Sequence, residues 1–221
     1  MILDLFSSDM VSKNYITKFI NEFAKDDNWH NIDKNNANIG YAFLHYALIR
    51  IFKPKNVLCI GSRYGFIPAI CALACKDNNY GKVDFVDAGF DQNDPNQKNH
   101  WGGIGLWKTK KGKEKFKKFG LGKFIRLHVK TTQEFRKRFQ KKQWQYIYID
   151  GDHSYMGVKK DFNLFAKKID KNTIVSFHDT NTKDLGGLDY GVGKFWNEID
   201  NTKFNKFEFP GLCGLGIIQK R

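Results

Sequence analysis

Apolar positions along the chain recur in two rhythms, helical at first and then alternating between short apolar runs and helical stretches. From about Met10 to Phe52 the rhythm is helical. Tyr15, Phe19, Ile20 and Phe23 mark a first helix, and Asp26, Asp27 and Asn28 interrupt it. A second helix over 37–52 places Ile39, Phe43, Leu44, Ala47, Leu48 and Ile51 on one face, and Pro54 stops it. Short apolar runs follow at 56–61, 82–87, 124–129, 145–150 and 173–179, each of the length of a buried strand. Helices are predicted over 67–76, 132–140, 155–169 and 192–199. Two last strand-like pieces, 206–209 and 215–220, flank the turn from Pro210 to Gly214 and read as a hairpin.

Strands alternating with helices build βαβ units on a mostly parallel sheet. Right-handed crossovers make that sheet a Rossmann-like, doubly wound α/β sandwich. The terminal pair has no helix between its strands, so one of them must run antiparallel. The expected organisation is a single domain over 1–221, with an N-terminal helical cap over 1–40. A long Gly-, Asn- and Lys-rich insertion over 88–123 interrupts the alternation, and its length marks it as a lid candidate.

Composition changes the picture only in part. A 41% hydrophobic and 15% aromatic content in 221 residues excludes a disordered chain. The 37 basic and 23 acidic residues leave a net charge of +14, which points toward nucleic acid, an anionic surface or an acidic substrate. Lysine supplies nearly all of it, since arginine occurs only at 50, 63, 126, 136, 138 and 221. Specific nucleic-acid readers lean on arginine, so a solvated lysine-rich surface is the preferred reading. Cys59, Cys71, Cys75 and Cys213 form no disulfide framework, and the first three lie in apolar runs. The opening residues lack the pattern of a signal peptide, and no apolar run approaches the ~20 residues of a membrane span. A cytoplasmic, reduced location is expected.

Four motifs carry chemistry. Gly61-Ser-Arg-Tyr-Gly65 links the first strand to a helix, where small residues let a ligand approach the helix N-terminus. Arg63 replaces the middle glycine of the dinucleotide fingerprint, which disfavours a pyrophosphate-binding dehydrogenase. Asp87 ends the second strand at the interval expected of a ribose-binding acid. Asp150-Gly-Asp-His-Ser-Tyr155 closes the fourth strand, and His178-Asp-Thr-Asn181 closes the fifth. Adjacent central strands share one crevice, so Asp150 and Asp152 should face His178 and Asp179. Their oxygens suit Mg²⁺, and the histidines either serve as general base or shift the preference toward a transition metal. Asp152 or Ser154 can also simply cap the next helix.

At these segments the chain resembles the class I S-adenosylmethionine-dependent methyltransferases, in particular the branch of macrocin O-methyltransferase and cephalosporin-hydroxylase-like proteins. The resemblance rests on 54–65, on 148–155 with Val158 and Asp161, and on 175–180 with Gly191 and Val192. It implies seven strands with the last inserted antiparallel, and S-adenosyl-L-methionine as cofactor. By the same resemblance Gly61, Ser62, Arg63 and Gly65 bind the cofactor's methionine side, Asp87 its ribose and Thr131 the adenine region. It also implies a divalent cation held by Asp150, His178 and Asp179. Asp150, which also borders the cofactor, is then catalytic together with His153 and His178. The implied activity is O-methylation of a sugar or other small polar acceptor, with homo-oligomerisation open. Many class I enzymes carry an acid two residues before the first glycine; this chain has Cys59 there.

Two rivals stand. A nucleic-acid methyltransferase would use the lysines of 108–118 with Trp101, Trp107, Phe116 and Phe119 as stacking groups. The plainer reading turns those aromatics inward. A cofactor-binding protein without methyl transfer is the other, supported by Cys59.

Overall fold

In a computed structural model of the chain, residues 12–25, 29–96, 101–182 and 190–221 are described. The helix breaker at 26–28 and the opening residues lie outside them. Seven strands form one sheet: β1 (Asn56–Ile60), β2 (Lys82–Asp87), β3 (Ile125–Val129), β4 (Tyr146–Ile149), β5 (Ile174–His178), β6 (Phe204–Phe209) and β7 (Leu215–Lys220). Their order is β3-β2-β1-β4-β5-β7-β6, with β1 to β5 parallel and β7 antiparallel to both β5 and β6. The expected doubly wound α/β sheet with a C-terminal antiparallel hairpin is therefore present. The order reverses between β1 and β4, so a crevice opens at their carboxyl ends.

Helices α1 (Lys13–Phe23), α2 (Ala42–Phe52) and α3 (Phe66–Asp77) cover one face. Helices α5 (Thr132–Arg138), α6 (Tyr155–Ala166) and α7 (Val192–Glu198) cover the other, and a short α4 (Lys110–Glu114) lies in the insertion. Alternate strand residues feed the two cores: Val57 and Cys59 point to the first, Leu58 and Ile60 to the second. Cys71 and Cys75 are buried in α3, as small hydrophobes.

One expectation needs correction. The second helix starts at Ala42, because Asp33 and Asn38 pair in a bridge and Ala37 and Gly40 take positive φ. Its buried face is Ala42, His45 and Ile49, while Phe43 and Ile51 are 49% and 72% exposed. The helix is apolar nearly all round, so packing on α3 rather than periodicity selects the inward face.

The aromatic rings in the second half of the insertion turn inward. Trp107 and Phe116 are buried and stacked at 5.6 Å, and Phe116 stacks on Phe23. Phe119 packs edge-on against Phe19. These three rings are thus turned into the core rather than out toward bases. Lys115 is buried too, donating to the Tyr64 carbonyl at 2.8 Å, and burial pushes its ammonium down to about 8. Among the described residues no helix is long and apolar enough to cross a membrane.

Candidate active site

The β1–α3 turn shapes one wall of the crevice. Gly61 has φ +72°, and a Cβ there would lie 2.2 Å from the Asp150 carbonyl oxygen, so only glycine lets β1 and β4 end side by side. Ser62 is pinned on three sides. Its N–H donates to Asp87 Oδ2 at 3.2 Å, its Oγ accepts from Gly65 N–H, and its carbonyl accepts from Trp107 Nε1. Gly65, with φ +85°, stands behind the cleft lining against Trp107 and opens α3. Arg63 lines the cleft; its Nε is buried without a hydrogen-bond partner and its guanidinium lies over Tyr64.

Asp87 ends β2 with both oxygens on backbone amides, those of Ser62 and Gly89. Burial pushes its carboxyl up to about 6, against those two bonds and with the Asp150 charge adding to the rise. Thr131 caps α5 in a reciprocal box with Glu134, so its hydroxyl is already engaged where it lines the cleft.

The opposite wall is the pair of strand ends at β4 and β5. His178 Nδ1 lies 3.2 Å from Asp150 Oδ1 and 3.3 Å from Asp179 Oδ1. His153 Nδ1 lies 2.7 Å from Asp179 Oδ2, and its Nε2 lies 3.5 Å from Asp150. Tyr148 donates to Asp150 Oδ2 at 2.9 Å, and Thr182 donates to Asp179 Oδ1 at 2.8 Å. Burial opposes charge on both histidines, but the Asp179 and Asp150 carboxylates outweigh it and raise both, His178 well above its ordinary value. For Asp179 burial works upward, and the two histidines more than reverse it, holding the carboxyl well below its ordinary range. Asp179 has φ +64°, an uncommon backbone for a residue with a Cβ, fixed by its N–H on the Gly214 carbonyl.

His178 Nε2 donates to the Trp29 carbonyl at 3.1 Å, since a carbonyl can only accept. Its Nδ1 therefore faces two carboxylates, buried and without an aligned hydrogen bond, while His153 Nδ1 is paired with Asp179 at 2.7 Å. Buried imidazole nitrogens converging with carboxylates are a donor set that fits a divalent cation. Asp150, His153 and Asp179 form one group of ligand atoms within 4.8 Å of one another, and His178, Asp179 and Cys213 another.

Several lining groups come from loops and were missed or left without a role. Trp101 stacks on His153 and donates from Nε1 to Asp152 Oδ1 at 2.8 Å; Tyr190 stands edge-on to both rings. Asp152 also accepts from the Ser154 N–H, while Ser154 itself caps α6. His30 packs on His178 at 4.4 Å between ring centroids, and burial followed by the His178 charge holds it well below its ordinary pKa. Asp161, on α6, lines the same cleft; burial pushes its carboxyl up to about 7 against a hydrogen bond from Thr132. Of the residues singled out in the sequence, Gly61, Ser62, Arg63, Asp87, Thr131, Asp150, His153, His178 and Asp179 all border this one cleft of ≈ 540 Å³.

Residues 58–180 match a family model described as a methyltransferase domain. The chain belongs to that family. The methyltransferase domain spans β1 to the end of β5, which holds both walls of the cleft. Solved structures of similar fold include the O-methyltransferase from Bacillus cereus in complex with SAH, at TM-score 0.62 and 13% identity over 100% of this chain and 94% of that one. TomG, the O-methyltransferase from Streptomyces achromogenes involved in tomaymycin synthesis, was solved with SAM. It aligns at TM-score 0.62 and 12% identity, covering 94% of this chain and 88% of that one. At such identities the likeness is one of fold. An uncharacterized protein of Sinorhizobium fredii, y4gI, is 31% identical over 96 residues, 43% of this chain. The chain spans 10% of the length of that curated relative.

Proposed function

We propose that this methyltransferase domain moves a methyl group from S-adenosyl-L-methionine to a hydroxyl oxygen of a sugar or other small polar acceptor, with a divalent cation at the ends of β4 and β5. The observation that carries the proposal is the joining of two chemistries in one cleft: the glycine turn with Asp87 on one wall, and the cluster of Asp150, His153, His178 and Asp179 on the other. In this reading Gly61, Ser62 and Arg63 border the methionine part, Asp87 accepts from the ribose hydroxyls and Thr131 lies toward the adenine. Gly65 serves by shaping the turn.

Methyl transfer is an in-line displacement at a sulfonium. The S–CH₃ bond breaks as the O–CH₃ bond forms, and the hydroxyl proton must leave. The chain's task is to align the oxygen, exclude water and accept that proton. His153 is the base in this reading, because it sits on the open side of the cluster beneath Trp101. Asp150, Asp179 and His178 would hold the cation, which lowers the pKa of a hydroxyl bound to it.

The test is calorimetry with S-adenosylhomocysteine, followed by transfer of labelled methyl from S-adenosylmethionine to a panel of polyhydroxy acceptors. Binding that weakens roughly 10–100-fold in Asp87→Ala, as expected for lost hydrogen bonds to a charged group, supports the cofactor assignment. Binding with no turnover on any acceptor would leave a cofactor-binding protein instead. Undiminished turnover after exhaustive chelation would remove the cation.

A further inference from the structure

We infer that Cys213 is a ligand to the cation at the β5 end, and that the site therefore selects a thiophilic transition-metal ion such as Zn²⁺, Co²⁺ or Fe²⁺ over Mg²⁺. This rests on the reading that a divalent cation sits there at all, and it adds both a residue and a metal class to it.

Cys213 differs from the other three cysteines. Cys59, Cys71 and Cys75 belong to the hydrophobic core, whereas Cys213 is buried on the lining of the cleft. Its Sγ and one donor atom each from His178 and Asp179 all lie within 4.8 Å of one another. Ligand bonds of about 2.0–2.3 Å to nitrogen, oxygen and sulfur need donors grouped on this scale.

The turn that carries Cys213 is held in place. Asp179 N–H donates to the Gly214 carbonyl at 3.1 Å and Asn181 N–H to the Cys213 carbonyl at 2.9 Å. Thr182 Oγ1 adds a longer bond to the same carbonyl. The β5 end and the β6–β7 turn thus move as one unit, and the thiol's position beside His178 is set by the sheet.

The independent observation is the orientation of His178. With Nε2–H committed to the Trp29 carbonyl, Nδ1 is the nitrogen that faces the cluster; in a residue only 5% exposed it has no aligned hydrogen bond, and it gives up its proton when a cation binds. A carbonyl holding the far side of a ligating imidazole is the usual orienting arrangement at metal sites. An imidazole and a sulfur beside carboxylates are a poor set for Mg²⁺, which prefers oxygen ligands and retains water. They are a good set for zinc-like ions. When the metal–sulfur bond forms, the thiol proton leaves to solvent and the sulfur binds as thiolate; no electron moves.

The test is optical titration of the chelator-stripped protein with Co²⁺, without cofactor or acceptor. The expected result is saturable binding with a thiolate-to-cobalt charge-transfer band, not reversed by a large excess of Mg²⁺. Cys213→Ser and Cys213→Ala, each checked for folding by circular dichroism, should lose the band and bind Co²⁺ and Zn²⁺ at least ~10-fold more weakly. Co²⁺ that binds with no charge-transfer band in the unaltered protein overturns the inference while leaving the cation reading intact. So does a band that survives in folded Cys213→Ser. No binding of Co²⁺, Zn²⁺ or Mg²⁺ by calorimetry would end both readings together.

Discussion

The indole of Trp101 lies parallel to the His153 imidazole, with ring centroids 5.4 Å apart and planes 6° from parallel, while its Nε1 donates to Asp152. One side chain of the insertion thus fixes both the plane of the His153 imidazole and the carboxylate two residues before Ser154. Trp101→Phe keeps a stacking ring and removes the hydrogen bond; Trp101→Ala removes both. With such bonds and ring pairs each contributing about 1–2 kcal/mol, kcat/KM should fall roughly 10-fold in the first and about 100-fold in the second. S-adenosylhomocysteine affinity should stay nearly constant. Equal losses of cofactor affinity and turnover would show instead that Trp101 belongs to the cofactor wall.

Tyr148 touches the cluster from inside the sheet, donating to Asp150 Oδ2 while His45 packs edge-on to its ring. Tyr148→Phe leaves the packing and removes one donor from a carboxylate. A fall in kcat of about 10-fold with little change in the melting temperature is expected. A lower apparent affinity for the proposed cation should accompany it. A drop in thermal stability alone would assign Tyr148 to the core.

Asp84 anchors a network away from the cleft. It accepts from Lys142 Nζ at 2.6 Å, from Trp144 Nε1 at 2.9 Å and from His128 Nε2 at 2.9 Å. Burial works to raise its carboxyl, but these donors reverse that and bring it down to about 2. Its stabilising contribution is therefore present above the ordinary carboxylate range and fades as pH falls toward 2. Asp84→Ala leaves two buried donors and a cation unmatched and should cost about 3–5 kcal/mol near neutrality in denaturant titrations. Wild type and variant should converge in acid.

Asp161 has the opposite sign. Its carboxyl sits near 7 in the folded chain against 3.8 by default, so the folded chain keeps a proton that the unfolded chain releases. Stability should fall as pH rises from about 4 to about 7 and level off above. Asp161→Asn removes that titration, and the variant should gain on wild type by up to about 4 kcal/mol between pH 5 and pH 8. Melting curves that stay parallel across this range would refute the assignment.

The strand ends were readable from sequence because a parallel sheet imposes its own geometry. Once 145–150 and 173–179 are adjacent central strands, Asp150 and Asp179 must meet at one edge. The face of α2 was not readable, since Ala42, Phe43, Leu44 and Ile49 are all apolar and only contact with α3 chooses among them. Cys213, Trp101, His30 and the Trp29 carbonyl lie on turns without periodicity. Their arrival at the cleft depends on β7 slotting in beside β5 and on the insertion folding back over His153, both long-range events. The resemblance already implied that the last strand inserts antiparallel, and that placement alone puts the β6–β7 turn, with Cys213, near the end of β5.

The backbone of Asp179 is held in its left-handed conformation by Gly214, and β7 joins the sheet only after the chain has passed through α7 and β6. The two walls of the cleft consequently rest on different parts of the chain. The glycine turn and Asp87 are held by β1, α3, β2, the end of β4 and Trp107, whereas the rim at β5 also depends on the last hairpin. Gly214→Ala, strained at φ +78°, should therefore disturb the rim at β5 and lower turnover more than S-adenosylhomocysteine affinity.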